Sequence, residues 1–158
     1  MPAKPPPVAA INLDELPGHH IRRLQQIAVA IFLQETDTLG ITPVQFAALQ
    51  AVANQPGLDQ RSLARAIGLD TSTVAGVVDR LETRQLLQRS ADPNDRRVRL
   101  LSLTWEGEGL LRAAQPAMRR AQARILEPLS TADQHRFLQL LQRLVTANNG
   151  LSRAPSSE

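Results

Sequence analysis

The sequence predicts a mainly α-helical fold with a small β-wing, and three observations carry that expectation. Apolar residues recur at helical spacing along most of the chain. Two short stretches of this kind meet at a single glycine, Gly68, as helix–turn–helix units do. Residues 92–104 break the pattern: the turn-forming Asp92-Pro93-Asn94-Asp95 runs into the alternating Arg97, Val98, Arg99 and Leu100 of a strand. An arginine-tipped turn between two short strands, directly after a helix–turn–helix, has the shape of a wing.

Each element follows from local chemistry. Residues 1–12 contain Pro2, Pro5, Pro6 and Pro7 with few large apolar groups, which predicts a mobile arm; residues 151–158 read as a similar tail. Over residues 19–37, Ile21, Leu24, Ile27, Ala28, Ile31 and Phe32 make one helical face. Thr42-Pro43 is a strong start signal for a second helix, with Phe46, Leu49 and Val52 inward and a stop before Pro56-Gly57. Asp59 can cap a short helix from Gln60 to Ile67, which Gly68 ends with a left-handed turn. Asp70 or Thr71 starts the next helix, with Val74, Val77, Val78 and Leu81 inward. Strands over 86–90 and 98–103 enclose the wing. Thr104 then caps a long helix to about residue 127, where Pro116 is expected to produce a kink. Ser130 starts a last helix carrying Phe137, Leu138, Leu141, Leu144 and Val145.

Composition narrows the function. The 158 residues include no cysteine, which excludes disulfides, thiol catalysis and cysteine-ligated zinc. Aromatic residues make up 3%, too few for base-stacking platforms of the kind single-strand binders use. No long apolar run predicts a membrane span and no signal peptide is visible, so a cytoplasmic location is expected. No Gly-rich phosphate loop, nucleophile elbow or paired carboxylates stand out, so an enzyme is not expected and no cofactor is implied. His19, His20 and His135 lack carboxylate or cysteine partners at ligand spacing, so no metal is expected.

Charge points to duplex DNA. The formal net charge is +3, and Lys4 is the sole lysine. Between positions 80 and 99 six arginines (80, 84, 89, 96, 97 and 99) face three acids (Glu82, Asp92 and Asp95), so 6 − 3 = +3 lies in this segment alone. A helix enters the major groove with its first outward residues on base edges. Here those are Thr71, Ser72, Thr73 and Gly76, small enough for close approach. Arg80 and Arg84 follow, where such a helix meets the phosphate backbone. Arg96 at the wing tip suits a narrow minor groove, while Arg97 and Arg99 suit phosphates or a pairing with Asp95. A winged helix used only for protein contacts is the competing reading, and the arginine-rich tip argues against it.

The series Leu63-Ala64, Ile67-Gly68-Leu69-Asp70, Ser72-Thr73-Val74, Val78-Asp79-Arg80-Leu81-Glu82, Leu86-Leu87, Asp92-Pro93-Asn94-Asp95-Arg96-Arg97 and Leu103-Thr104 resembles the MarR family of winged helix–turn–helix regulators over roughly residues 40–145. That family usually has Gly where this chain has Gln85, so a less left-handed turn is expected there. The resemblance implies a homodimer on a pseudo-palindromic operator that represses transcription. It implies a helical dimerisation region at 13–40 and 105–150 around a DNA-binding lobe at 41–104. It also implies a small effector, often an aromatic carboxylate or phenol. His19-His20-Ile21-Arg22-Arg23 is the local cluster suited to an anion, since helix starts, arginine and histidine all favour carboxylates. The candidate effector set is His19, His20, Arg22, Arg23 and Phe46. Residues 17–28 are also similar to the nicotinate-degradation repressors of that family, whose ligand is a hydroxylated pyridine carboxylate such as 6-hydroxynicotinate. A ligand-independent activator or architectural regulator is the alternative.

Overall fold

The computed structural model describes residues 7–155; residues 1–6 of the expected arm and 156–158 of the expected tail lie outside them. Asn12 caps a 3-10 turn at Leu13–Glu15. Helix α1 (Pro17–Glu35) begins with Pro17 in its first turn, where a missing N–H costs nothing. Helix α2 (Pro43–Asn54) has a full capping box: Thr42 Oγ1 accepts from Gln45 N, and Gln45 Oε1 accepts from Thr42 N. Helix α3 (Gln60–Ile67) is capped by Asp59 and ended by Gly68 at φ +66°. Helix α4 (Thr71–Thr83) is capped by Asp70, α5 (Trp105–Leu126) by Thr104 and α6 (Thr131–Asn148) by Ser130. Helix α5 continues through Pro116 as one element of 22 residues.

The sheet has three antiparallel strands in the order β1 (Leu58–Asp59), β3 (Arg99–Leu103), β2 (Leu87–Ala91). In the wing, Leu87 pairs with Leu103 and Ala91 with Arg99. The two-residue β1 pairs Leu58 with Leu101 and was not anticipated; only its partner strand reveals it. One core holds the lobe together, with Leu49, Leu63, Val74, Val78, Leu81 and Leu101 fully buried. Helix α5 joins it through Leu111, Ala114 and Ala121, and α1 through Phe32.

The apolar face expected along the first helix is only partly covered within this chain: Ile21 and Ile27 are exposed, and Phe32 is the one fully buried residue of α1. Helix α6 likewise buries none of its residues, leaving Leu138, Leu140, Leu144 and Val145 about half exposed or more. One expectation needs correction, at Gln85. It adopts φ +58°, so the left-handed turn is kept without glycine. Its carbonyl accepts a 2.5 Å hydrogen bond from Thr104 Oγ1, and Leu86 N closes the turn on Leu81 O at 2.9 Å.

Candidate DNA interface and effector groove

Helix α4 is held by its buried valines and Leu81, which leaves Thr71, Ser72, Thr73 and Arg80 on the outer face. The Asp70 carboxylate accepts from Ser72 Oγ at 2.5 Å, Thr73 Oγ1 at 2.7 Å and Thr73 N at 2.8 Å. These bonds, the one from Ser72 first, hold its pKa well below the usual carboxylate range. The hydroxyl protons of Ser72 and Thr73 are thus committed to Asp70, while their oxygen lone pairs still face outward as acceptors. Gly76 is half-buried, and the Arg80 guanidinium lies over it: a Cβ there would meet Nη1 at 3.5 Å.

The wing is built as its turn residues predict. Asp92 Oδ1 accepts from Asn94 N at 2.7 Å and Asp95 Oδ1 from Arg97 N at 3.0 Å, so each carboxylate folds its own backbone. Asp92 N and Val98 O close the loop at 3.0 Å. Arg96, Arg97 and Arg99 are all exposed. Arg97 touches Asp95 at 3.4 Å, and Arg96 has no polar partner among the described residues.

Two arginines of the charged segment are used internally. Arg84 was expected on the phosphate backbone. Instead it donates through Nη1 to Gly40 O at 2.8 Å and through Nη2 to Leu39 O at 3.4 Å, because it sits at the end of α4 beside the turn that leads into α2. Arg89 on β2 bridges Asp79 and Glu82 of α4. The count of charges between 80 and 99 therefore overstated what is free. Sequence reasoning also passed over Arg61 and Arg65, an exposed i, i+4 pair on α3. That spacing was the available signal.

At the start of α1, His19, His20, Arg22 and Arg23 line an open groove of about 710 Å³, with Leu24, Ile27, Phe137 and Leu141 supplying apolar surface. His20 Nε2 is 2.8 Å from Asp14 O, which fixes that ring. Arg22 reaches Gln26 Oε1 at 3.3 Å. Phe46 does not belong to this groove. It is buried in the core edge-to-face with Phe32, ring centroids 6.1 Å apart, because the inner face of α2 crosses α1 at Phe32 rather than at its histidines. No cluster of three or more potential metal ligands occurs among the described residues. Within them no helix is long and apolar enough to cross a membrane.

The MarR family model matches residues 41–98, the stretch from α2 through the wing. NicR of Pseudomonas putida, an HTH-type transcriptional repressor, is 32% identical over 137 residues, 87% of each chain. The chain belongs to the MarR family. This MarR-family chain is accordingly a winged-helix transcriptional regulator and not an enzyme. The Streptomyces coelicolor regulator PcaV, solved with its natural ligand, superposes with a TM-score of 0.80 at 39% identity, over 89% of this chain and 99% of that one. Bordetella bronchiseptica BpsR, whose DNA binding is regulated by 6-hydroxynicotinic acid, matches with a TM-score of 0.81 at 32% identity, over 86% of this chain and 97% of that one. NicR is thus a repressor, and the DNA binding of BpsR is regulated by an aromatic acid.

Proposed function

We propose that the chain is a homodimeric, ligand-responsive repressor that binds a pseudo-palindromic operator and is released by a small aromatic acid, with 6-hydroxynicotinate the first candidate. The observation that carries the reading is the outer face of α4, set beside a wing whose Arg96 has no protein partner among the described residues. In it, Thr71, Ser72, Thr73 and Gly76 face base edges, Arg80 and Arg97 and Arg99 face phosphates, and Arg96 enters the minor groove. Residues 41–104 form the DNA-binding lobe. Residues 13–40 and 105–150 form the dimerisation region, which the uncovered apolar faces of α1 and α6 support. A second copy is the natural cover for surface of that kind.

The groove at His19, His20, Arg22 and Arg23 supports an anionic effector, since cationic side chains there meet an apolar wall. The regulation of BpsR by 6-hydroxynicotinic acid makes a hydroxylated pyridine carboxylate the first ligand to try. The effector must prefer the protein state that misfits the operator, and a tenfold loss of DNA affinity needs about 1.4 kcal/mol of such preference. Fluorescence anisotropy on a duplex from the gene's own upstream region tests both halves. With about 8 phosphates neutralised, log K against log salt should have a slope near −7, and Arg96→Ala should weaken binding clearly. Duplex binding indifferent to salt refutes the DNA reading. Failure of 6-hydroxynicotinate and related aromatic acids to release the duplex refutes the effector reading and leaves a ligand-independent regulator.

A further inference from the structure

The free arginines of this protein do not end at the wing. Arg97 and Arg99 share one surface depression, about 420 Å³, with Arg61 at the start of α3. Arg61 also lines a second depression, about 470 Å³, with Arg65, Thr71 at the head of α4, and Arg153. Arg61 therefore joins the two into one continuous track. The C-terminal segment reaches this place because the chain leaves α6 through a 3-10 turn at Asn149–Leu151 and passes the α3–α4 turn, where Ala154 and Gly68 line one cleft. Arg61, Arg65, Arg97, Arg99 and Arg153 are all exposed. Arg97 alone of the five has an ion-pair partner among the described residues, Asp95 at 3.4 Å. Two carboxylates line the track, Asp59 and Asp70, so the sum is 5 − 2 = +3. Both carboxylates are committed to capping α3 and α4, through Ser62 N at 2.7 Å and Thr73 N at 2.8 Å.

We propose that this track, from the wing root across α3 to Arg153, is a second line of contact with the phosphate backbone of duplex DNA, and that the C-terminal segment is part of the DNA-binding surface. It rests on the DNA-binding reading above and extends it to residues outside the winged lobe. A continuous set of exposed guanidinium groups, four of the five without an ion-pair partner among the described residues, is complementary in charge to a polyanion, and Thr71 at the positive end of α4 lines the same depression. The arginines of the track stand on α3, the wing root and the C-terminal segment rather than on α4, so they carry affinity and register but no sequence information.

The test is the salt dependence of Arg153→Ala, compared with wild type, on the upstream duplex and on an unrelated duplex of equal length. Each phosphate contact contributes about 0.9 to the slope of log K against log salt, and a dimer loses two, so the slope should flatten by about 1.8. Between 50 and 200 mM salt the wild type should then lose about twelvefold more affinity than the variant. Both duplexes should weaken by the same factor, and Arg153→Lys should restore the slope. An unchanged slope overturns the proposal, as does tighter binding, which would make the segment a shield over the reading helix. If the wild type binds neither duplex, the DNA-binding reading itself fails, which separates the two failures.

Discussion

Adding one methyl group at Gly107 should destabilise this protein even though the same change elsewhere in the helix should stabilise it. Gly107 lies in the first turn of α5, pressed against the chain that leaves α4. A Cβ built there would stand 1.9 Å from Leu86 O and 2.9 Å from Leu86 C. Ordinary contact begins near 3.4 Å, so about 1.5 Å of separation must be found. The carbonyl cannot supply it. Leu86 O accepts from Thr104 N at 3.2 Å, Leu86 N donates to Leu81 O, and Leu86 and Leu87 are both buried. Overpacking against rigid neighbours costs typically 1–3 kcal/mol, and a backbone obstacle puts Gly107→Ala at the upper end, about 3. Replacing a helical glycine by alanine returns about 1 kcal/mol. The net loss is about 2 kcal/mol, which lowers Tm by about 4–8 °C in a chain of this size. Gly109 is two residues further along α5 and faces open space. Gly109→Ala should therefore raise Tm by about 2–4 °C. Thermal unfolding of both variants and wild type at one protein concentration decides the matter. A Gly107→Ala protein as stable as wild type, or more so, refutes the argument that α5 is wedged against the end of α4.

Three further outcomes are expected. Arg84→Ala should cost about 1 kcal/mol in chemical denaturation by freeing the carbonyls of Gly40 and Leu39, yet leave the salt slope of DNA binding unchanged; a slope flattened by about 0.9 per subunit would return Arg84 to the phosphate backbone. Gln85→Gly should stabilise by about 0.5–1 kcal/mol, because the left-handed cost of about 1–2 kcal/mol outweighs the extra chain entropy of glycine; a lower Tm would refute the strain. Asp70, Asp59 and Glu35 all have lowered pKa values, Glu35 chiefly through its bond from Arg120 at 2.8 Å and then from Arg124. A carboxylate lowered on folding stabilises the protein above its ordinary value near 4 and loses that contribution as pH falls through the folded value. Stability should therefore hold down to about pH 4 and fall below it, and Asp70→Ala should flatten the decline; an undiminished slope would place the acid sensitivity elsewhere.

Much of this fold is written in local signals, and the exceptions share a cause. Thr42, Asp59, Thr104 and Ser130 cap the helices where their side chains suggested, since capping involves neighbours three residues apart. The wing turn is equally local. What the sequence could not disclose depends on distant partners. Strand β1 exists only because Leu101 lies opposite Leu58. Arg84 and Arg89 look like free charge until Gly40, Asp79 and Glu82 are placed beside them. Phe46 and the histidines of α1 each lie in the first turn of a helix, yet Phe46 meets Phe32, near the far end of α1, and not the histidines. The arginine track is the converse case: Arg61 meets Arg97 through the pairing of β1 with β3, and meets Arg153 only because the chain beyond α6 passes α3, three places far apart in the sequence.

The wedge at Gly107 also sets a mechanical scale. Helix α5 has 22 residues, about 33 Å at 1.5 Å per residue. Its far half is gripped by α1, where Glu35 holds both Arg120 and Arg124. Its near end is fixed to the exit of α4 by the Leu86 carbonyl and by Thr104 on Gln85. A rod of that length, pivoting by about 5° at the gripped end, swings its other end by about 3 Å, close to the 3.4 Å rise of one nucleotide. A tilt of α5 by a few degrees thus displaces the exit of α4 by about the rise of one nucleotide.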